Sequence, residues 1–348
     1  MDKQTVTIIF GSQSFEHEIS IVSAIAMKKV LDNTINYIFI DKNREFYEIP
    51  SGVIKSNLFS SGDYKKYSQL NIEKGCFVKK TFFGTKKLEV GVVLNLVHGG
   101  DGEDGVLAGM LNFFDIPFIG PRVEASVVSC NKYFTKTYSE ACGVKTIDYK
   151  HYSKSDTIKI ENFPIIIKPV RLGSSIGISI VKTEQELEYA LDVAFEFDDE
   201  IIIESFCEGI KEYNLAGTKV NDEFIFSIIE EPNKEEYLDF DKKYLDFNRT
   251  SKVQSASLDT TIQEKLKEAF KKIYNNYFDG AIIRCDFFVL DNEIYLNEIN
   301  PIPGSMANYL FEDFNSVFNS LVNSLPQRKQ IPINYEYVNK IQSAKGKV

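Results

Sequence analysis

The stretch from Ile282 to Gly304 constrains this chain more than any other. It reads as two β-strands, Ile282 to Leu290 and Ile294 to Asn300, joined at Asp291-Asn292. Aromatic and β-branched runs on either side of such a pair are a hairpin signal. Side chains alternate across a strand, so Arg284 and Asp286 share one face of the first strand, and Glu298 and Asn300 one face of the second. Paired through the turn, the strands bring together a cation, two carboxylates and a carboxamide. Such oxygen donors are hard ligands suited to Mg²⁺, which normally keeps water or phosphate oxygens as well. Polar groups amid apolar neighbours are costly to bury without partners of this kind. Pro301-Ile302-Pro303-Gly304 then bends the chain and leaves a glycine amide free to approach a ligand.

At 348 residues the chain outgrows a single core, and two or three domains are expected. Net charge is −10, from 40 basic and 50 acidic residues. That argues against broad nucleic-acid or anionic-membrane binding, though a local basic pocket remains compatible with it. No apolar run approaches the roughly 20 residues of a membrane span. The opening residues lead directly into a strand, without a signal peptide. Cys76, Cys130, Cys142, Cys207 and Cys285 occur singly, which suits a reducing, cytoplasmic setting and gives no zinc spacing. His17, His98 and His151 are too scattered in sequence to suggest a histidine metal cluster.

Taken in order, a strand over 5–10, a helix from about Glu16 with Ile19, Val22, Ala26 and Val30 on one face, and a strand over 35–40 form a β-α-β opening. A parallel sheet follows from that order, with Glu16 at the carboxyl end of the first strand, where open α/β sheets commonly bind ligands. Residues 41–90 suggest short strands at 46–49, 75–78 and 86–90 within loops. An apolar strand over 92–98 ends in His98, and four glycines follow within residues 99–105. Their spacing is not the dinucleotide fingerprint. A helix from Val106 to Phe114, a rigid exit at Pro117–Pro121, and one helix from Val123 to Cys142 capped by Gly143 come next, with Lys132 in that helix.

Residues 164–169 form a strand that brings Lys168 to the segment 170–177, rich in Gly and Ser. A lysine charge beside flexible backbone amides and two hydroxyls reads as a phosphate clamp, although the P-loop arrangement is absent. Thr183 and Glu186 match a capping box. A strand over 200–207 with an exposed edge could meet adenine through its backbone, with Glu204 and Glu212 as acceptors. Strands over 213–230, a charged aromatic lid over 235–244, a helix from Thr260 to about Tyr277, a last helix from Ser305 and a polar tail over 326–348 complete the chain. Clamp, hard-ligand site and arginine together suit phosphoryl transfer, and activation of a carboxylate for attack by an amine is the economical chemistry. Arg284 and the Gly304 amide then suit a tetrahedral oxyanion.

Six motifs carry a resemblance through about residues 5–310. They are Ser14-Phe15-Glu16-His17-Glu18-Ile19-Ser20; His98-Gly99 with Gly102-Glu103-Asp104-Gly105; and Ile167-Lys168-Pro169 with Arg171 and Gly173–Gly177. The others are Asp239–Tyr244, Arg284-x-Asp286, and Glu298-x-Asn300-x-x-Pro303-Gly304. In these the chain resembles the D-alanine–D-alanine ligase family of ATP-grasp carboxylate–amine ligases. The resemblance implies an ATP-grasp fold of mixed α/β and α+β class with an N-terminal open parallel α/β domain. The divisions expected are 1–121 for the substrate domain, 122–208 for the central ATP-grasp subdomain, and 209–348 for the metal-binding domain with its lid.

It further implies ATP-dependent joining of two D-alanines through a D-alanyl phosphate, for peptidoglycan precursor synthesis. Glu16, Ser174 and Tyr244 would form a network at the second D-alanine, with His98, Tyr309 and Leu310 nearby. The family usually carries Ser-Leu where this chain has Tyr309-Leu310. Lys132, Lys168 and the lid's Lys243 would meet the ATP phosphates, while Glu204, Ser205, Phe206, Cys207 and Glu212 would meet adenosine. The connector over 204–212 is one residue longer than the commonest form. Asp286, Glu298 and Asn300 would hold two Mg²⁺ ions, with Mn²⁺ as a substitute. Tyr244 favours D-alanine over D-lactate as acceptor, and a homodimer is implied. The alternatives are a ligase taking D-lactate or D-serine, and an inactive nucleotide-binding scaffold.

Overall fold

The computed structural model describes residues 4–232, 253–275 and 277–345. Lys243, Tyr244 and the lid expected around them lie outside the described residues. Strands β1 (Thr5–Gly11), β2 (Thr34–Ile40), β3 (Phe46–Ile49), β4 (Gln69–Glu73), β5 (Cys76–Thr81), β6 (Gly84–Leu88), β7 (Val92–Asn95) and β8 (Phe118–Ile119) make one sheet, ordered β6-β5-β4-β3-β2-β1-β7-β8. The β1, β2, β7 and β8 pairings are parallel, as the β-α-β opening requires. The vague region before residue 90 proves to be an antiparallel extension of this sheet through β3 to β6.

Helix α1 (His17–Val30) covers one face, but Val22 and Val30 are only half-buried. The fully buried positions are Ile19, Ser20, Ser23, Ala24 and Met27, at the three- and four-residue spacing of one helix face. The apolar strand into His98 ends at Asn95, where the Asn95 side chain accepts from the Val97 N–H at 3.0 Å. The short helix α2 (Ser56–Ser60) lies between β3 and β4, and α3 (Gly100–Glu103) and α4 (Val106–Phe113) follow β7.

The periodicity predicts one helix over 123–142, whereas the structure breaks it into α5 (Val123–Cys130) and α6 (Lys132–Ala141). Asn131 leaves helical geometry and its side chain accepts from the Phe134 N–H at 3.0 Å. An internal asparagine thus becomes an N-cap, and Lys132 starts a helix rather than sitting within one. Gly143 does take the left-handed conformation expected of a cap, at φ 68°.

Two further sheets hold the site. One is ordered β10-β13-β11-β12, from β9 (Lys145–Thr146) onward: β10 (Tyr149–Ser153), β11 (Ile165–Pro169), β12 (Ser179–Val181) and β13 (Glu200–Ser205). Helix α7 (Leu187–Phe197) packs on it. The capping box is only half made: Glu186 accepts from the Lys182 N–H at 2.8 Å, while the Thr183 side chain caps nothing. The third sheet is ordered β15-β14-β16-β17-β9, with β14 (Lys211–Val220), β15 (Glu223–Glu230), β16 (Ile283–Leu290) and β17 (Glu293–Asn300).

Helix α8 (Thr260–Tyr274) buries Ile262, Leu266, Ala269, Phe270 and Ile273 against this sheet, the stripe its sequence predicts, and stops three residues early. The helix expected from Ser305 is instead a left-handed turn, with Ser305, Met306 and Ala307 at φ 47°, 55° and 50°. Non-glycine residues there cost about 1 kcal/mol or more each. Full burial of Met306 and Ala307 in the core beneath α1 offsets that cost. Regular helix resumes only in α9 (Phe314–Val322), and the tail carries an exposed α10 (Glu336–Lys345).

Candidate active site

The hairpin forms as its alternation predicts. Asp291 and Asn292 take the left-handed conformations of a tight turn, at φ 51° and 62°. Register places Arg284 opposite Asn300 and Asp286 opposite Glu298. Arg284 grips Asp286 with two hydrogen bonds of 2.7 and 2.8 Å, and Asn300 Nδ2 donates to Asp286 Oδ2 at 2.9 Å. Burial pushes the Asp286 carboxyl up and the nearby Glu298 adds to it, against the pull of Arg284, leaving it at about 6. Burial works against the Arg284 charge too, but Asp286 and Glu298 hold the guanidinium firmly cationic.

Two neighbouring carboxylates, one of which raises the other's proton affinity, with a carboxamide beside them, are a fitting donor set for a small hard cation. Asn300 turns its nitrogen to Asp286, so ligation through its oxygen requires a half-turn of the carboxamide. Among the described residues, no group of three or more His, Cys, Asp or Glu side chains is arranged around a common point. The third protein donor is therefore the carboxamide.

Lys168, on β11, reaches Glu204 Oε2 at 3.1 Å and Asn297 Oδ1 of β17 at 3.3 Å. It thereby ties the second sheet to the hairpin. Lys136 meets the other oxygen of Glu204 at 3.2 Å. Lys136 and Glu204 are almost wholly buried. Burial alone would raise the Glu204 carboxyl, but the two lysines hold it below the usual range. The sequence reading misses Lys136, although its position four residues after Lys132 puts both on one helix face.

The Lys132 ammonium donates to the Leu172 carbonyl, and its N–H donates to the Val170 carbonyl at 2.9 Å. Arg171 turns away to Asp198, 2.6 Å, and to Glu200, with half its side chain in solvent. Nor does β13 offer an open edge: β10 and β11 pair with it on both sides, through Glu204 and Ser205. The Phe206 N–H is spent on the Pro164 carbonyl at 3.0 Å, and Cys207 is half-buried. Glu212, half-buried on β14, stands opposite Phe288.

Glu16 lies between two glycine loops. A Cβ on Gly99 would stand 2.5 Å from Glu16 Oε2, and one on Gly173 only 3.4 Å from it. Ser174 Oγ donates to the other oxygen, Oε1. The loop before α4 is pinned by Asp101, which accepts from Ser12 at 2.7 Å and from Arg44 at 2.8 and 2.9 Å. Glu103, quoted in a motif but given no role there, is pushed up to about 8 by burial and by Glu16 and Glu298. A carboxyl so placed marks where the acidic groups of the first and third sheets converge.

His98 is buried beneath this surface. It meets Ser23 Oγ at 2.9 Å and bonds the Ile302 backbone of the Pro-Gly bend. Tyr309 and Leu310 are likewise buried in the adjoining core, Tyr309 beside Arg284. Burial pushes the His98 imidazole down to about 4. An unfolded chain takes up a proton near 6.5 that the folded ring refuses. Stability is therefore complete above about 6.5 and declines toward pH 4, by at most about 1.4 kcal/mol per pH unit from this group. Urea unfolding at pH 7 and pH 5 should show a smaller acid loss in His98→Asn than in the parent; equal losses would contradict the assignment.

Known proteins identify the family that carries this fold. Residues 5–121 match the family profile described as D-ala D-ala ligase N-terminus, and residues 141–325 the one described as D-ala D-ala ligase C-terminus. The chain is 56% identical over 343 residues to the D-alanine--D-alanine ligase of Wolinella succinogenes, covering 98% of this chain and 99% of that one. It is 57% identical over 344 residues to that of a Sulfurovum species, with the same coverage. The crystal structure of D-Alanine-D-Alanine Ligase from Helicobacter pylori superposes with a TM-score of 0.84 at 50% identity, over 94% of this chain and 100% of that one. With both profiles and near-complete relatives matched, this chain belongs to the D-alanine–D-alanine ligase family and has its ATP-grasp fold.

Proposed function

We propose that the chain joins two D-alanine molecules into D-alanyl-D-alanine at the expense of ATP, the dipeptide serving peptidoglycan precursor synthesis. The observation that carries this reading is Lys168 bonded to both Glu204 and Asn297, since it sets a phosphate-binding cation beside the Arg284–Asp286 and Glu298–Asn300 hairpin. One carboxylate oxygen of the first D-alanine attacks the terminal phosphorus, giving D-alanyl phosphate and ADP. The second D-alanine's ammonium gives up a proton to solvent, its amine lone pair attacks the acyl carbon, and the bond from that carbon to the phosphate oxygen breaks to release phosphate.

Lys132 and Lys168 bind phosphate oxygens, and the family resemblance gives Lys243 the same task. Glu204 positions Lys168 and Lys136, while Ser205, Phe206, Cys207 and Glu212 line the adenosine side. Arg284 and the Gly304 N–H receive the oxyanion, whose charge such donors stabilise in a water-poor site. Glu16, held by Ser174, orients the incoming ammonium, and the family resemblance assigns Tyr244 to the same network. His98 supports the bend carrying Gly304. Asp286, Glu298 and Asn300 would hold two Mg²⁺ ions, with Mn²⁺ as a substitute, which would supply charge neutralisation at the phosphates.

Residues 1–121, 122–208 and 209–348 serve as substrate, central and metal-binding units in this reading. The protein works as a homodimer in the cytoplasm; five free cysteines fit a reducing compartment, and no described helix is long and apolar enough to cross a membrane. With ATP, Mg²⁺, D-alanine and equal D-lactate or D-serine, the expected main product is D-alanyl-D-alanine. Preference for D-lactate near neutral pH would overturn the Tyr244 argument, and ATP binding without any product would favour a scaffold.

A further inference from the structure

The most exposed apolar side chains among the described residues sit side by side at one hairpin tip. Phe82 and Phe83, each 96% exposed, form the two-residue turn between β5 and β6. Their rings meet edge to face, with centroids 5.2 Å apart. Nothing in the turn requires them. Three other two-residue turns in these sheets use Lys74-Gly75, Asn221-Asp222 and Asp291-Asn292. Each is built on Gly, Asn or Asp, the residues that suit a tight turn.

Cations stand directly behind the rings. Residues 79–87, Lys-Lys-Thr-Phe-Phe-Gly-Thr-Lys-Lys, hold four lysines and no acid, in a chain of net charge −10. Lys79 is drawn to Glu48 at 2.5 Å. Lys80, Lys86 and Lys87 are exposed and form no ion pair with another described residue. Lysine on an edge strand such as β6 discourages sheet-to-sheet pairing. That accounts for the charges but not for the aromatic pair. An apolar tip leading and lysines behind it match a bilayer surface, where aromatic rings settle among the headgroups and cations meet anionic lipid. A nucleic-acid strand calls instead for rings and cations along one groove.

We infer that the β5–β6 hairpin docks the protein on an anionic lipid bilayer. Phe82 and Phe83 enter the headgroup region, and Lys80, Lys86 and Lys87 meet the lipid phosphates. The contact is local, since the rest of the chain is acidic. Topology leaves the site open. Strand β2 is parallel to β1, and three antiparallel pairings lead from β2 to β5. The carboxyl end of β5, where the tip lies, is therefore at the amino end of β1, opposite Glu16. Strand β6 is also five places from β1 in the sheet, about 24 Å by the usual strand spacing.

The chain has no tryptophan, so Phe83→Trp gives the full-length protein a unique reporter. Its emission should move to shorter wavelength with vesicles of phosphatidylcholine and phosphatidylglycerol, and brominated acyl chains should quench it. Vesicles of phosphatidylcholine alone should do neither. Affinity for the anionic vesicles, read by co-sedimentation, should fall about tenfold or more in Phe82→Ser with Phe83→Ser. It should fall about fivefold for each of Lys80→Gln, Lys86→Gln and Lys87→Gln, and added salt should weaken it. These side chains are exposed and far from the site, so melting temperature and turnover should hold in every variant. Retention that survives both sets of substitutions, responds to only one of them, or is equal on neutral vesicles overturns the docking. So does binding of a polyuridine strand through the same residues without retention on vesicles. A lipid-free sedimentation coefficient altered by the phenylalanine substitutions would assign the tip to a contact between proteins instead.

Discussion

Arg284→Met should lower kcat by about two to three orders of magnitude while leaving a folded protein. The guanidinium is the positive group of the hairpin face, bonded twice to Asp286 and mostly shielded, with 18% of its side chain exposed. Methionine fills much of the volume but cannot meet an oxyanion. It also strands Asp286 next to Glu298. Burial already raises that carboxyl to about 6 with the arginine present, so its loss moves the proton affinity higher still. The acid limb of the rate profile should therefore shift to higher pH. Breaking a buried pair from one side typically costs about 3 kcal/mol or more, which urea unfolding can read separately from turnover. Arg284→Lys, keeping charge without the two-pronged grip, should recover stability more fully than kcat. Equal recovery of both would reduce Arg284 to a structural partner of Asp286.

The second large effect is expected at Glu204→Gln. This carboxylate separates two ammonium groups, Lys136 at 3.2 Å and Lys168 at 3.1 Å, with Lys136 only 2% exposed. Glutamine leaves two like charges facing each other in a buried space, and about 3–5 kcal/mol is the usual cost of orphaning such a charge. ATP affinity should fall with it, because Lys168 loses the partner that aims it toward Asn297. The pH sign differs from that of His98. Glu204 is held below its ordinary range, so its contribution is complete at neutral pH and disappears only as acid protonates the folded carboxyl. Glu204→Gln should lack that acid limb, and Lys136→Met should reproduce part of the loss. ATP binding and melting temperature both unchanged in Glu204→Gln would contradict the arrangement.

What was legible in the sequence depended on how local its cause was. The hairpin follows from alternation and an Asp-Asn turn, both visible in twenty residues, and α8 shows its buried stripe directly. The break at Asn131 was hidden because both halves carry helical periodicity, and an asparagine caps only when tertiary packing turns the chain there. The turn at Ser305–Ala307 is written in good helix formers, yet burial under α1 selects the opposite hand. Of the strands before residue 90 only β4, short and mostly polar, went unread; β3, β5 and β6 overlap expected strands, but their antiparallel place on the first sheet was not visible. The Lys136–Glu204–Lys168 cluster joins residues up to 68 positions apart. No spacing rule reaches across that distance, whereas the family resemblance singled out Glu204 and Lys168 without Lys136, the second lysine on Glu204.

The most direct test of carboxylate activation is the fate of oxygen. With D-alanine labelled by ¹⁸O in its carboxylate, ATP and Mg²⁺, each turnover should deliver one ¹⁸O from the first D-alanine into the released phosphate, in step with the dipeptide formed. Phosphate free of label, at the same rate of ATP consumption, would mean that no acyl phosphate forms and would contradict the assignment of the hairpin and its lysine grip.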